Sequence, residues 1–224
     1  MEAKTLSSAI KKIAVSYILI YFNINIGVID ILPDWLGYFI IVSALPILSE
    51  EEQSAQLLRP FGIALGIGKI IEWVLKFTNA EWDFTLVSIV FGIITIYFHF
   101  QLITNIANLD IEQSKRKRLL VLRTLIVILH TLVCVSLYIP ANLFDEEVYT
   151  YIIMFMGVTQ VILCIWIAGE LFGLASTLKQ KEAEADEYIS NMENAAQQAS
   201  GEEIERLREL KESAEEKTDT QEKE

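Results

Sequence analysis

The sequence predicts an all-α membrane protein: a bundle of six transmembrane helices followed by a cytoplasmic tail. Of its 224 residues, 53% are hydrophobic. Apolar runs of about 20 residues, the length needed to cross a bilayer, recur six times along the chain. Charge is also segregated, because residues 179–224 carry seven Lys/Arg against fifteen Asp/Glu, whereas residues 1–178 carry eleven against fifteen. We therefore expect a membrane domain at 1–178 and an acidic tail at 179–224.

The apolar runs define the order of the predicted spans. A soluble bundle would need a polar face on each helix, and segments such as "LVSIVFGIITIYFHF" and "VILCIWIAGELFGLA" have none. The second span is short for a bilayer. We place the six spans at roughly 10–31, 34–49, 58–78, 84–107, 119–141 and 148–175.

The segment "NINIGVIDILPDWLGYF" joins the first two spans. Pro33 lacks a backbone donor and biases Leu32 away from helix, so we predict a tight turn, with the second helix beginning at Pro33. A polar stripe facing protein or water is predicted along the first span, because polar groups are costly in hydrocarbon. On a helical projection this stripe contains Ser16, Asn23, Gly27 and Asp30.

The third span carries a packing motif and two charges. Gly62 and Gly66 form a G-x-x-x-G motif, which lets another helix approach closely. Lys69 lies eleven residues into the span, about 16 Å from its start, and Glu72 at i+3 is close enough to pair with it. We favour a buried structural ion pair over a solute or ion site. "GIALGIGKI" departs from the phosphate-loop pattern at two positions and predicts no nucleotide site.

Polar residues also share faces on the last three spans: Gly92, Thr95 and His99 on the fourth, Arg123, His130 and Cys134 on the fifth, and Glu170 on the sixth. Arg123 and Glu170 lie about one turn inside the same boundary, so we expect them to pair or to extend to the surface. His99 and His130 suggest a haem or metal site. However, their predicted depths in the membrane differ by about 6 Å, and two histidines are few ligands for a metal. We therefore predict neither metal nor cofactor.

Orientation follows from the distribution of Lys and Arg. With a cytoplasmic N-terminus, the predicted outer segments contain no Lys or Arg, whereas the inner ones contain the run "KRKR". An even number of spans then places both termini in the cytoplasm. We expect this run to contact anionic lipid headgroups rather than nucleic acid; its members are Lys115, Arg116, Lys117 and Arg118.

The tail has the composition of a solvated helix. "EEIERLRELKESAEEK" is strongly helix-forming, whereas Ser200–Gly201 should interrupt the helix and "TDTQEKE" should be disordered. The helix has only a narrow apolar strip. Three roles are compatible with it: a solvated helix, a homo-oligomer contact or docking to a protein partner.

The motifs N-I-N-I-G, L-P-D-W-L-G-Y-F-I-I and "LRPFGIALGIGK", within residues 20–69, resemble a family of small multi-span proteins from Firmicutes-type bacteria. The resemblance implies a bacterial cytoplasmic membrane and supports the turn at Pro33. It implies no activity and no catalytic or binding residue.

Two functions follow as hypotheses. No hydrolase or metalloprotease motif is present, so we expect a non-enzymatic membrane component that acts through partners or self-association. The alternative is a small transporter or ion pathway with a polar interior around Lys69 and Glu72. We favour the first, because the two halves of the membrane domain show no inverted repeat.

Overall fold

A computed structural model describes residues 5–22, 25–26, 29–30, 33–78, 85–136 and 145–221; side chains are described for 5–22, 33–75, 87–136, 145 and 147–198. Within these ranges the chain is mostly α-helical, with one 3₁₀-helix and one pair of two-residue strands. Its elements are α1 (Leu6–Tyr21), β1 (Asn25–Ile26), β2 (Ile29–Asp30), α2 (Asp34–Glu51), a 3₁₀-helix (Gln53–Leu58), α3 (Arg59–Thr78), α4 (Thr85–Asn108), α5 (Gln113–Ser136) and α6 (Glu146–Gln221).

The first helix is shorter than predicted. α1 starts after Thr5, whose side chain accepts a hydrogen bond from the Ser8 amide, and it ends at Tyr21. The predicted span at 10–31 is therefore wrong as one continuous helix. Asn, Gly and β-branched residues have low helix propensity, and here they allow antiparallel pairing of Asn25 with Asp30 instead. The stripe predicted to continue from Ser16 to Asp30 does not form along one helix.

The second helix begins where the sequence predicts, within one residue. Pro33 is the N-cap of α2, with an extended backbone, and Asp34 is the first helical residue. α2 then packs closely on α1 at Gly37. A Cβ atom added to Gly37 would lie 2.5 Å from Ile20 Cγ1 and 2.9 Å from the Ser16 carbonyl oxygen. The absence of a side chain at Gly37 is thus what permits the α1–α2 contact.

The predicted packing motif on α3 lies against two other helices. A Cβ atom on Gly62 would lie 2.7 Å from Val42 on α2 and 3.1 Å from Phe98 on α4. One on Gly66 would lie 3.0 Å from the Phe39 ring on α2. The prediction that these glycines allow close helix approach is confirmed.

Three helices in the described ranges are long and apolar enough to cross a membrane: Val87–Asn108, Gln113–Ser136 and Glu147–Gln198. Their outward faces are apolar, with Ile93, Phe155 and Ile162 exposed by more than half. An extended exposed apolar surface is unusual on a soluble monomer and is what a lipid-facing helix requires.

The chain divides into two units, Met1–Leu178 and Lys179–Glu224, at the boundary placed by charge segregation. Within the second unit the helix continues to Gln221. The predicted interruption at Ser200–Gly201 and the predicted disorder from Thr218 to Gln221 are therefore wrong; residues 222–224 lie outside the described residues. A single glycine costs a helix only about 1 kcal/mol, and the flanking Glu, Lys and Ala residues favour helix strongly.

A buried histidine–tyrosine cluster

Five aromatic side chains from four helices of the first unit meet in its interior. We call this group the histidine–tyrosine cluster; its members are Tyr17, Tyr21, Tyr38, His99 and His130. Tyr17 and Tyr21 are four residues apart and so share one face of α1. Tyr17, Tyr38 and His99 are at most 1% exposed.

His99 lies at the centre of the cluster. Its Nδ1 is 3.1 Å from the Tyr17 hydroxyl, and its ring contacts the rings of Phe98, Tyr21 and Tyr38 at centroid distances of 5.5, 5.7 and 6.1 Å. Its other nitrogen, Nε2, is buried and has no hydrogen-bond partner among the described residues. An unsatisfied buried polar atom costs about 1–3 kcal/mol, so this nitrogen requires an explanation.

The hydrogen bonds of His130 determine its neutral tautomer. Nδ1 lies 3.1 Å from the Ile126 carbonyl oxygen, which can only accept, so Nδ1 carries the proton. Nε2 is then the acceptor, and it lies 3.2 Å from the Tyr21 hydroxyl and 3.0 Å from the Gln160 amide nitrogen. His130 therefore has both of its nitrogens engaged, unlike His99.

The two histidine rings stack, with centroids 5.8 Å apart and planes 25° apart. Metal ligation requires nitrogen lone pairs that converge on one ion at about 2 Å. Because both nitrogens of His130 already have partners, this arrangement is not a two-histidine ligand set. Among the described residues, no group of three or more His, Cys, Asp or Glu side chains could hold a metal ion.

The cluster contacts Cys164 on α6 and, on its other side, Thr95 on α4. The Cys164 thiol donates to the Tyr17 carbonyl oxygen at 3.1 Å. On the other side, Tyr38 lies near Thr95, whose hydroxyl donates to the Phe91 carbonyl oxygen at 2.8 Å. Thr95 lies one helical turn from His99 on α4, so polar groups continue from the cluster along this face.

Lys69 and Glu72 form the predicted ion pair, with Nζ and Oε2 2.9 Å apart. Lys69 also lies 3.7 Å from a carboxylate oxygen of Asp34, at the start of α2. The Lys69 and Glu72 side chains are 34% and 53% exposed, so the prediction of a pair buried between helices is wrong. A second carboxylate makes this triad less dependent on any one partner than an isolated pair.

The predicted pairing of Arg123 with Glu170 is also wrong. Glu170 pairs with Arg118, at 3.5 Å. Arg123 instead donates from Nη1 to the Thr104 hydroxyl at 3.0 Å and lies over the Phe100 ring, 4.4 Å from its centroid. The reason is that the Arg123 face of α5 is turned toward α4.

The "KRKR" run is divided between two roles. Lys115 donates to the Thr177 hydroxyl on α6, and Arg118 pairs with α6 as above. Arg116 and Lys117 are exposed. Contact with anionic lipid, predicted for all four, stays a prediction.

Of the other predicted site residues, Asn23 lies outside the described residues. Asp30 lies on β2, and only its backbone is described. Sequence reasoning missed the three tyrosines of the cluster and Gln160. Their only signal in the sequence was the four-residue spacing of Tyr17 and Tyr21, which is equally typical of core packing.

Sequence reasoning also missed a buried amide. Asn105 on α4 is fully buried and lies 2.9 Å from the Ser54 hydroxyl and 2.8 Å from the Gln101 amide. With its amide group turned, it also accepts from the Ala55 backbone N–H at 3.2 Å. Ser54 in turn donates to the Glu52 carboxylate that caps the 3₁₀-helix. Asn105 therefore ties α4 to this connection.

No family model matches the chain, and no curated protein or solved structure matches it either. The resemblance of residues 20–69 to a bacterial membrane-protein family accordingly stays an expectation.

Proposed function

We propose that the chain is a six-span protein of a bacterial cytoplasmic membrane, with both termini in the cytoplasm, and that its histidine–tyrosine cluster passes protons. One observation carries this proposal: His99 is buried beside His130, and its Nε2 has no partner among the described residues. Ionisable residues within a membrane domain are costly and mark ion and proton pathways.

The chemistry of the cluster suits proton transfer. At His99, Nε2 would accept a proton while Nδ1 releases one toward the Tyr17 hydroxyl, which both donates and accepts. His130, whose Nδ1–H is bonded to a backbone carbonyl, would take up and return a proton at Nε2 only. His99 bonds to Tyr17, and His130 bonds to Tyr21 and Gln160. A water molecule at His99 Nε2 would satisfy that nitrogen and join the two sets, as buried waters do in polar sites.

Polar groups lead from the cluster toward the surface. Tyr38 lies near Thr95 and near Lys69, which is partly exposed. The proposal therefore modifies the alternative hypothesis from the sequence, a polar interior around Lys69 and Glu72. The interior site is His99, and the Lys69 triad lies at its partly exposed side.

The experiment is proton flux into liposomes that contain the purified protein and an enclosed pH-sensitive dye, driven by a potassium diffusion potential. We expect flux above that of protein-free liposomes, and we expect His99→Gln to reduce it at least tenfold while keeping a hydrogen-bonding side chain. Thr131→Val is the matched control, because Thr131 is exposed next to His130 and bonds only to its own helix at Val127. Equal flux from wild type and His99→Gln would contradict the proposal.

A second candidate is the non-enzymatic component that acts through a partner. It is favoured by one observation, the exposure of three large apolar side chains on the second unit: Tyr188 (66%), Ile189 (54%) and Met192 (58%). These positions share a helix face, as a docking surface requires. A pull-down in mild detergent, with and without residues 179–224, tests it. A partner that binds only the full chain, together with absent proton flux, would favour this function.

A further inference from the structure

We propose that Arg123 holds the phosphodiester of an anionic phospholipid, in a groove between α4 and α5 on the outside of the bundle. This lipid groove is lined by Phe100, Thr104, Arg116 and Arg123. The proposal does not depend on proton transfer by the cluster.

The guanidinium group of Arg123 is held in place from two directions. Nη1 of Arg123 donates to the Thr104 hydroxyl at 3.0 Å. The Thr104 hydroxyl uses its own hydrogen to donate to the Phe100 carbonyl oxygen at 2.7 Å, so the lone pairs of its oxygen can accept from Arg123. The Phe100 ring supports the guanidinium plane at 4.4 Å. A fixed, planar fork of donors is the geometry that binds a phosphate in bidentate fashion.

The positive charge of Arg123 is not neutralised within the described structure. Ion pairs there involve Lys69 and Arg118, and no described carboxylate lies within 4.0 Å of Arg123. Its Nε is buried and has no hydrogen-bond partner among the described residues. Since an unpaired charge at membrane depth is costly, an anionic group beside Arg123 would stabilise it.

The groove continues toward the start of α5 with a second cation. Arg116 is seven residues before Arg123, hence on the same helix face and about 10 Å away along the axis. Arg116 is exposed, whereas Lys115 and Arg118 are engaged by α6. Of the two members of the run that α6 does not engage, Arg116 and Lys117, only Arg116 lies on the Arg123 face.

Apolar side chains distinguish a lipid from free phosphate. Tyr97 and Phe100 on α4 are 44% and 37% exposed. They lie deeper than Thr104 along α4, where acyl chains would pack. A ligand with an anionic head and apolar tails matches both parts of the groove.

The test is native mass spectrometry of the full chain in detergent, titrated with phosphatidylglycerol or with phosphatidylcholine of the same acyl chains. We expect tighter binding of phosphatidylglycerol, and a loss of affinity of about tenfold in Arg123→Gln, the size expected for a charge-assisted hydrogen-bonded contact. Lys117→Gln removes the same charge from an exposed residue off this face and should have little effect.

Equal affinity for the two lipids, or equal phosphatidylglycerol affinity in wild type and Arg123→Gln, would overturn the proposal. Displacement of phosphatidylglycerol by inorganic phosphate alone would also overturn it, in favour of a free-anion site. If Arg123→Gln does not fold, Arg123→Lys is measured in its place. This variant keeps the positive charge but loses the guanidinium group, so its preference for phosphatidylglycerol over phosphatidylcholine should fall. An unchanged preference would refute a bidentate site.

Discussion

Substitution of Gly37 by alanine should destabilise the bundle, although alanine is the better helix former. The new Cβ atom would lie 2.5 Å from Ile20 Cγ1, 3.2 Å from Ile20 Cδ1 and 2.9 Å from the Ser16 carbonyl oxygen. Ile20 can change rotamer, but the Ser16 carbonyl can retreat only if α1 moves. Overpacking of this kind costs about 1–3 kcal/mol, and a clash with backbone belongs at the upper end.

The gain in helix propensity, about 1 kcal/mol, offsets part of that cost. We therefore expect a net destabilisation of about 2 kcal/mol and a melting temperature lower by about 4–8 °C for a domain of this size. Gly169→Ala on α6 is the matched control, because a Cβ atom there would meet nothing within 4 Å. It should raise the melting temperature by about 2–4 °C, from propensity alone.

The assay is thermal unfolding of both variants in one mild detergent, followed by intrinsic tryptophan fluorescence. The essential result is that the melting temperature falls in Gly37→Ala and rises in Gly169→Ala. If Gly37→Ala were as stable as Gly169→Ala, the close α1–α2 contact would be refuted.

Three further predictions concern other parts of the chain. In detergent, Lys69→Met should lower the melting temperature more than Glu72→Gln, because without Glu72 the lysine keeps its second carboxylate on α2, whereas without Lys69 both ion pairs are lost at once; equal losses would contradict the triad. Asn105→Ala should cost about 1–3 kcal/mol of unfolding free energy, since it removes the partner of the Ser54 hydroxyl and of the buried Ala55 N–H, and thermal unfolding in the same detergent would measure the loss. In intact cells, a cysteine replacing Asp145 should react with a membrane-impermeant thiol reagent and one replacing Gln113 should not; both positions are exposed, and labelling at Gln113 would reverse the proposed orientation.

Helix ends and helix contacts were predictable from the sequence where a proline or a pair of glycines marks them. α2 begins beside Pro33, because proline fixes its own φ and cannot donate a backbone hydrogen bond. The Gly62–Gly66 motif correctly predicted close packing, since only small residues let helix backbones approach. The end of α1 was not predictable from hydropathy, because the apolar Ile and Val residues after Tyr21 suit strand as well as helix.

The sequence was a poorer guide to which helix faces contact each other. Periodicity correctly grouped Gly92 with His99 on α4 and His130 with Cys134 on α5, and the structure turns these two faces toward each other. However, periodicity does not determine the partner helix. From depth alone, Arg123 was therefore expected to pair with Glu170 or to extend to the surface, although the antiparallel packing of α4 and α5 brings it to Thr104.

The bonds of Tyr17 also have a consequence for the biogenesis of the protein. Its hydroxyl meets His99, 82 residues later in the chain, and its carbonyl oxygen accepts from Cys164, 147 residues later. At translation rates of about 5–20 residues per second, α1 waits roughly 7–30 s after its own synthesis for Cys164 to be made. During that interval α1 can already pack on α2 at Gly37, but the Tyr17 carbonyl oxygen has no thiol donor from α6. The contact between α1 and α6 therefore forms only after the five preceding helices have been made, and a chain that terminates before α6 lacks it.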